Sequence, residues 1–398
     1  MKKNSIVTFT SLLVLYEMAC YLSMDAYTPA LPSIMKGFNV SYDSVQLTIT
    51  AWMSGGIISQ IIIGPFSERY GRKPILLIGG IVFILSSFAC SLSQTIHQLL
   101  AARFFQGMVI PSMLIAGYAA VHELLNQDEA IHIIAKMQSV TLLAPCIGPL
   151  LGGIILTHYQ WPFIFICLTI WGIIAIAGLT FAMPESLKED NRAKSLNFKN
   201  IIHSYAICIK HKKFMIYVLT ISGLVGTIVI WVSASPLLII EHYHYSTLGF
   251  GSCQALIFGS FIIGTKLIKA LSRENSNYTR VTKFGVNITA TGGILCLIMS
   301  LLFHENLYYV IMAMMILMMG IGLCFAVFMR LAVDELTVPM GIKMSVITFA
   351  QTIIATLSSI IVIICYHNTL LSLAILITVY SLLPITVTSI GKITKINN

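Results

Sequence analysis

Gly64-Pro65-Phe66-Ser67-Glu68-Arg69-Tyr70-Gly71-Arg72-Lys73-Pro74 is a polar island in an apolar chain. It separates two apolar runs, 44–66 and 74–95. Each is about as long as the ~20 residues a helix needs to cross a bilayer. The two glycines allow a tight turn and close helix approach. The Arg and Lys side chains can bridge carboxylates or the C-terminal carbonyls of neighbouring helices. Two membrane helices folded back through a short basic turn are the unit from which the rest can be built.

Apolar runs of this kind fill the chain. Of its 398 residues, 57% are hydrophobic and 10% charged, whereas a soluble domain carries about 25% charged residues. Lipid is therefore the expected solvent. The runs are 6–35, 44–66, 74–95, 97–122, 131–158, 161–183, 214–242, 249–271, 280–303, 306–330, 341–366 and 368–390. They predict an all-α membrane protein of twelve transmembrane helices in two six-helix bundles, 1–183 and 214–398. A charged central loop, 184–213, opens with Pro184-Glu185-Ser186 and joins them. Its second half, from Phe198 to Lys213, alternates apolar and basic residues. It suits either an amphipathic helix on the anionic inner leaflet or a solvated linker.

The net charge of +9 follows from topology. With loops alternating from a cytoplasmic N-terminus, Lys36 falls outside and Arg103 within a span. The remaining Lys and Arg fall on inside segments: Lys2 and Lys3, the Arg69–Lys73 turn, Lys136, the central loop, Lys266 to Lys283, Arg330, Lys343, Lys392 and Lys395. That asymmetry is the positive-inside pattern and puts both termini in the cytoplasm. It argues against a nucleic-acid partner. Lys2 and Lys3 ahead of an apolar run resemble a signal peptide, but Glu17 interrupts the run, so an uncleaved first span is expected. The nine cysteines have no short-spaced pairs and read as small core hydrophobes. No Walker loop, nucleophile elbow or H-E-x-x-H is present. Neither an enzyme, a metal nor a cofactor is expected.

Two carboxylates, Glu17 and Asp25, lie inside the first run. An acid at membrane depth costs a few kcal/mol and is usually there for a task such as proton relay or cation recognition. Eight residues apart, they stand roughly 12 Å along and roughly 80° around a helix, so both can face one cavity at two depths. In span four, Leu100-Ala101-Ala102-Arg103-Phe104-Phe105-Gln106-Gly107 places a guanidinium at membrane depth, where it needs hydrogen-bond partners or a wet cavity. Arg103 lies roughly 9 Å and Asp25 roughly 13 Å from the outer ends of their helices, close enough in depth to couple. Span five contains Ala144-Pro145-Cys146-Ile147-Gly148-Pro149-Leu150-Leu151-Gly152-Gly153. Gly148 and Gly152 form a ridge for close packing, and Pro149 removes a backbone donor. Tyr21 and Tyr27, and less directly Trp52 and Trp231, are candidates to line a pocket by stacking and cation–π contact. His122, Glu123, Asp128 and Glu129, near the inner end of span four, are candidate partners of the basic turn. Asp334 and Glu335 hold the comparable place in the second half. Glu241, His242 and His244 form a polar rim beyond Pro236.

These stretches resemble the signatures of the Major Facilitator Superfamily. The first resembles G-x-x-x-D-r-x-G-r-[rk], with Glu68 for the Asp. The second resembles l-x-x-x-R-x-x-q-G. The third resembles the antiporter signature G-x-x-x-G-P-x-x-G-G, with Ala144 for its first glycine. Asp25-Ala26-Tyr27-Thr28-Pro29-Ala30-Leu31-Pro32 resembles D-x-y-l-P-a-l-P of the twelve-span drug:proton antiporters. Tyr16-Glu17 and Tyr21 ahead of that Asp are similar to a multidrug/proton antiporter of the family. The resemblance is strongest through Gly153. In the second half, only Lys266 to Arg280 resembles a worn copy of the first signature.

The resemblance implies an inner latch at Gly64, Glu68, Arg69, Gly71, Arg72 and Lys73. It implies an export-type helix at Pro145, Gly148, Pro149, Gly152 and Gly153. Proton coupling and substrate recognition are implied at Glu17, Asp25 and Arg103. The implied protein is a monomeric, multi-pass exporter in a bacterial inner membrane, exchanging protons for small hydrophobic, cationic or neutral compounds. A dedicated carrier for a metabolite, siderophore or sugar remains an alternative within the same fold. A receptor or scaffold is disfavoured by the buried acids and Arg103.

Overall fold

The computed structural model describes residues 3–125, 127–187, 205–271, 278–303, 306–338, 340–367 and 369–393. Lys2, Lys188, Arg192, Lys194, Lys199, Arg273 and Lys395 of the charge pattern lie outside these residues, as do parts of the expected amphipathic segment and of the worn second signature. All secondary structure among the described residues is helical. Nine of the described helices are long and apolar enough to cross a bilayer, and Leu143–His158 and Leu370–Ile385 are shorter apolar helices. Their outward faces need lipid: Phe181 is 90% and Leu85 62% exposed, patches that water would drive to aggregate.

The chain divides into two units, Met1–Leu196 with Ser246–Gly251, and Asn197–Tyr245 with Ser252–Asn398. The first begins with α1 (Lys3–Asp25), a 3-10 turn (Thr28–Ala30), α2 (Leu31–Phe38), α3 (Tyr42–Tyr70) and α4 (Arg72–Leu92). It continues with α5 (Ile96–Gly107), α6 (Ile110–Ser112), a π-helical segment (Met113–Gly117), α7 (Tyr118–Leu124), α8 (Gln127–His158) and α9 (Pro162–Ala182). The second unit is built from α10 (Lys212–Pro236) with a π-helical end (Leu237–His242), then α11 (Thr247–Leu271) from Ser252 onward, α12 (Tyr278–Leu302), α13 (Leu307–Asp334), α14 (Met340–Cys365) and α15 (Leu370–Ile393).

Helix limits depart from the apolar runs where local chemistry takes over. The first span extends to Phe38 and ends on Asn39, which adopts a left-handed conformation (φ 51°) that Asn tolerates at a helix C-terminus. The span is also interrupted: α1 stops at Asp25, and the Pro29 region makes a 3-10 turn before α2. The second span extends to Tyr70, so the polar island is mostly helix. The reversal to α4 is made at Gly71 alone, at φ 105°, a backbone conformation that side chains disfavour. α8 stays helical through Pro145 and Pro149.

Small residues set the packing of the first unit, in which α1 rests on α8 and α9, α3 on α5, and α4 on α5 and α9. A Cβ on Gly55 would strike the Phe104 carbonyl, and one on Gly107 would strike the Trp52 carbonyl. α3 and α5 therefore meet backbone to backbone. The same holds where α8 crosses the end of α1: a Cβ on Gly148 would enter Asp25, and one on Gly152 the Ala26 carbonyl. The ridge read from the sequence thus packs on the segment that holds the acid.

Gly107→Ala is expected to lower stability by about 1–3 kcal/mol through overpacking. Gly259→Ala, where nothing stands within 4 Å of a new Cβ, should melt at or above the wild-type temperature. Thermal melts of the two purified variants check this contrast.

Candidate functional site

The polar centre of the first unit gathers around the interruption in the first span. Ending α1 at Asp25 leaves its last carbonyls without helical donors. Arg103, from α5, supplies one: its Nη1 donates to the Ser23 carbonyl at 2.8 Å and to Gln106 Oε1 at 2.5 Å. Its Nη2 reaches the Met24 sulfur at 3.5 Å. Gln106 in turn donates from Nε2 to Ser87 on α4, at 2.8 Å. Arg103 is 0% exposed, and its guanidinium lies 4.4 Å from the centre of the Tyr27 ring, 5.8 Å from Trp52 and 5.9 Å from Phe165. The positive charge is held by a helix end, an amide and aromatic faces.

Asp25 is 8% exposed and forms the end of α1, so its backbone carbonyl accepts from Thr28 Oγ1 at 2.9 Å. Arg103 and Asp25 meet the same helix end, but the guanidinium bonds Ser23 rather than the Asp25 carboxylate. Tyr27 is fully buried, 2.7 Å from Thr48 Oγ1 and under Arg103. It therefore builds the Arg103 seat. Trp52 does likewise, donating from Nε1 to Ser23 Oγ at 3.3 Å.

Glu17 is two turns back along α1 and 0% exposed. Tyr118 donates its hydroxyl to Glu17 Oε1 at 3.0 Å. Oε2 accepts no hydrogen bond from any described residue. Tyr21, one turn beyond Glu17 on α1, lies close enough to interact with Tyr118, so Glu17, Tyr21 and Asp25 follow one another along α1 and Tyr118 meets the first two from α7. Tyr118 begins α7, immediately after the π-helical segment. Such segments recur at functional sites because the wider turn changes which residues face a neighbour. Sequence reasoning did not single out Tyr118; Pro111 within the fourth apolar run was the available sign that the span is not a plain helix.

At one end of the same unit, the basic turn is tied down. Glu185 accepts from the backbone N–H groups of Arg72 (2.9 Å) and Lys73 (3.2 Å), the open N-terminus of α4. That is where a carboxylate is best placed against a helix dipole. Arg72 pairs with Glu123 at 3.0 Å and donates to Ser67 Oγ at 2.8 Å. Ser186 donates to the other Glu123 oxygen at 2.6 Å. Lys73 donates to the Thr180 carbonyl, ending α9, at 2.8 Å. Glu68 and Arg69 are exposed, Arg69 lying 5.4 Å from the centre of the Tyr70 ring. Gly64 has open space where a Cβ would be. Within this unit, Gly71, Arg72 and Lys73 carry the bonds. Glu123 is the acid they find among the candidates, with Glu185 unforeseen.

A family model described as Major Facilitator Superfamily matches residues 13–364. The chain belongs to the Major Facilitator Superfamily. It is a membrane transporter, and transport of small molecules across a bilayer is what that superfamily implies. Its relatives include "Multidrug transporter MdfA" of Edwardsiella piscicida, 31% identical over 334 residues, covering 84% of this chain and 80% of that protein. "Multidrug resistance protein MdtM" of Salmonella typhimurium is 28% identical over 333 residues, covering 84% and 80%. Among solved structures, a D-xylose-proton symporter matches with TM-score 0.75 and 13% identity over 95% of this chain and 97% of its own. A bacterial homolog of the human lysosomal transporter Spinster, inward-facing and unoccupied, matches at 0.74 with 11% identity over 98% and 96%. At those identities the structures speak for the fold alone.

The second unit of this superfamily member has its own buried polar groups. Trp231 donates to Gln254 Oε1 at 2.8 Å, and Gln254 to Ser235 Oγ at 2.9 Å. Trp231 is thus a packed core residue. Lys213 pairs with Glu335 at 2.6 Å, and the buried Lys343 donates to the carbonyls of Val333 and Leu336 at the end of α13.

Tyr118→Phe removes the hydroxyl that Glu17 accepts from. We expect a stability loss of about 1 kcal/mol, the usual net worth of one hydrogen bond. Tyr118→Phe made on Glu17→Gln should cost measurably less than on wild type. Melting of the four proteins of that double-mutant cycle reads the coupling directly.

Proposed function

We propose that this transporter is a proton-coupled exporter of small, hydrophobic, cationic or neutral compounds. The observation that carries the reading is Glu17: fully buried, one carboxylate oxygen held by Tyr118 and the other accepting no hydrogen bond from a described residue. A carboxyl in that setting takes either a proton or a neighbouring cation, and the two compete. Asp25 is the second exchanger, on a helix end against which Gly148 and Gly152 let α8 pack closely. Arg103 holds that end in register through Ser23. Protonation from the outer side discharges the cation, and deprotonation toward the inner side restores the binding charge. With alternating access between two bundles, that competition is antiport. Relatives named as multidrug transporters support the substrate class.

The proposal includes a topology of twelve spans with both termini cytoplasmic, in a bacterial inner membrane. The nine candidate spans, the two shorter apolar helices and α3 (Tyr42–Tyr70) support that number, and the placement of Lys and Arg supports the orientation. The bundles are 1–183 and 214–398, joined by 184–213, and the working unit is a monomer.

The test is proton-driven uptake of a lipophilic cation into inverted vesicles. Asp25→Asn is expected to bring it near background, and Glu17→Gln to reduce cations more than neutral substrates. Wild-type activity in both variants would overturn the reading. Normal transport of neutral compounds by the Glu17→Gln variant would assign Glu17 to charge recognition.

A further inference from the structure

Helices α10, α12 and α14 begin, and α11 and α13 end, at one rim of the second unit. Lys213 of α10 and Lys343 of α14 both bind the end of α13, while α11 and α12 pack on α13 through Gly264 and Gly285. The acids described at this rim, Asp334 and Glu335, are already paired with Arg330 and Lys213. Lys210, Lys212, Lys266 and Lys283 are exposed, and none of them forms an ion pair or a side-chain hydrogen bond with a described residue. The basic turn of the first unit differs, since Arg72 and Lys73 are bound there by Glu123, Glu185 and the Thr180 carbonyl. Exposed apolar side chains interleave with the four lysines: Ile207 and Ile209 before Lys210, Leu267 after Lys266, and Phe284 after Lys283. The stretch 205–210 is helical and docks through Cys208, which is 0% exposed, whereas Ile209 is 59% exposed. His211 Nδ1 then accepts from the Phe214 N–H at 3.3 Å and caps α10.

We propose that this rim is a docking surface for the anionic headgroups of membrane lipids. That the lipids belong to the inner leaflet rests on the topology proposed above; the binding chemistry does not. Charge decides first: exposed lysines with no acid against them attract a phosphodiester and repel a cation. The apolar side chains decide next. An acidic protein or a polyanion in water would leave Ile207, Ile209, Leu267 and Phe284 exposed or set against charge. A bilayer surface receives both kinds of side chain. The apolar ones enter the acyl boundary, and the lysine stems lie along it with their ammonium groups among the phosphates. The lysines stand on three separate elements, so the surface takes several lipids and not one bound molecule. Of the two expectations for the segment ending at Lys213, this favours the leaflet over a solvated linker. A linker in water gains nothing from fixing 205–210 by Cys208 with its isoleucines exposed.

The experiment places the full chain in phosphatidylcholine vesicles with a trace of spin-labelled lipid and reads, by electron spin resonance, the fraction of label immobilised at the protein. Wild type is expected to prefer labelled phosphatidylglycerol over labelled phosphatidylcholine by about threefold, the scale of a few lysines near an anionic surface. Salt at about 1 M should suppress the preference by screening. The combined variant Lys210→Gln, Lys212→Gln, Lys266→Gln, Lys283→Gln should lose most of it. The matching variant with Arg at the same four positions keeps the charge and should bind as wild type. Ile207→Ser with Ile209→Ser should weaken the preference while leaving every lysine in place. Equal immobilisation of the two labels in wild type, or an undiminished preference in the Gln variant, overturns the surface. A loss in the Arg variant as large as in the Gln variant overturns it too, because charge would then not be what the lipid reads. Lysine-dependent binding of soluble polyglutamate that displaces phosphatidylglycerol and survives the two Ser substitutions assigns the rim to an acidic partner and likewise overturns it. The readout needs neither cargo nor a proton gradient, and Glu17→Gln should keep the lipid preference, so failure of this surface is distinct from failure of the export reading.

Discussion

A guanidinium with no exposed surface is the most demanding group in the first unit. Placing Arg103 at membrane depth is tolerable only if its charge and its terminal N–H groups are met locally, while its Nε has no hydrogen-bond partner among the described residues. The answer is a helix that stops early. Because α1 ends at Asp25, the Ser23 carbonyl is released from the helical ladder and accepts from Arg103. The partial negative charge of that helix end faces the cation. Tyr27, Trp52 and Phe165 close around it. The break in α1, the aromatic seat and the close crossing of α3 and α5 at Gly55 and Gly107 form one solution to a single electrostatic problem.

Asp25 is placed by the same solution. It is the last residue of the interrupted helix, so any movement that withdraws the Arg103 bond from Ser23 acts two residues away from the carboxylate. Glu17 stands apart from that network, held by Tyr118 through a different helix. The two acids therefore have separate structural tethers, and a substitution at one leaves the other's tether intact. Such independence suits the proton-for-cargo exchange proposed above, in which the two binding groups are not lost together.

The spans were legible because a run of about 20 apolar residues has few other fates. Their ends were less so. Beyond Phe66 the chain turns polar, yet α3 continues to Tyr70, since a helix satisfies its own backbone whether lipid or headgroups surround it. The acids and Arg103 announced themselves by cost alone, but their partners had no such mark. Ser23 contributes a backbone carbonyl, which carries no residue-type signal. Tyr118 is one tyrosine among sixteen, 101 residues from the Glu17 it meets. The interruption at Asp25 was written in Pro29 and Pro32, though those residues read first as a family signature. In the second unit, Lys343 grips carbonyls rather than an acid, so no charge pattern foretold it.

Glu185 closes the turn at Gly71 from more than a hundred residues away, binding the N–H groups of Arg72 and Lys73. Its companions Glu123, Thr180 and Ser186 all precede Leu187 in the chain. Nothing made later is needed for that set of bonds. During synthesis, this set of bonds can form before most of the second unit is made. The carboxylate thus acts as a clasp on the first half, and a chain stalled before it would leave the N-terminus of α4 uncapped.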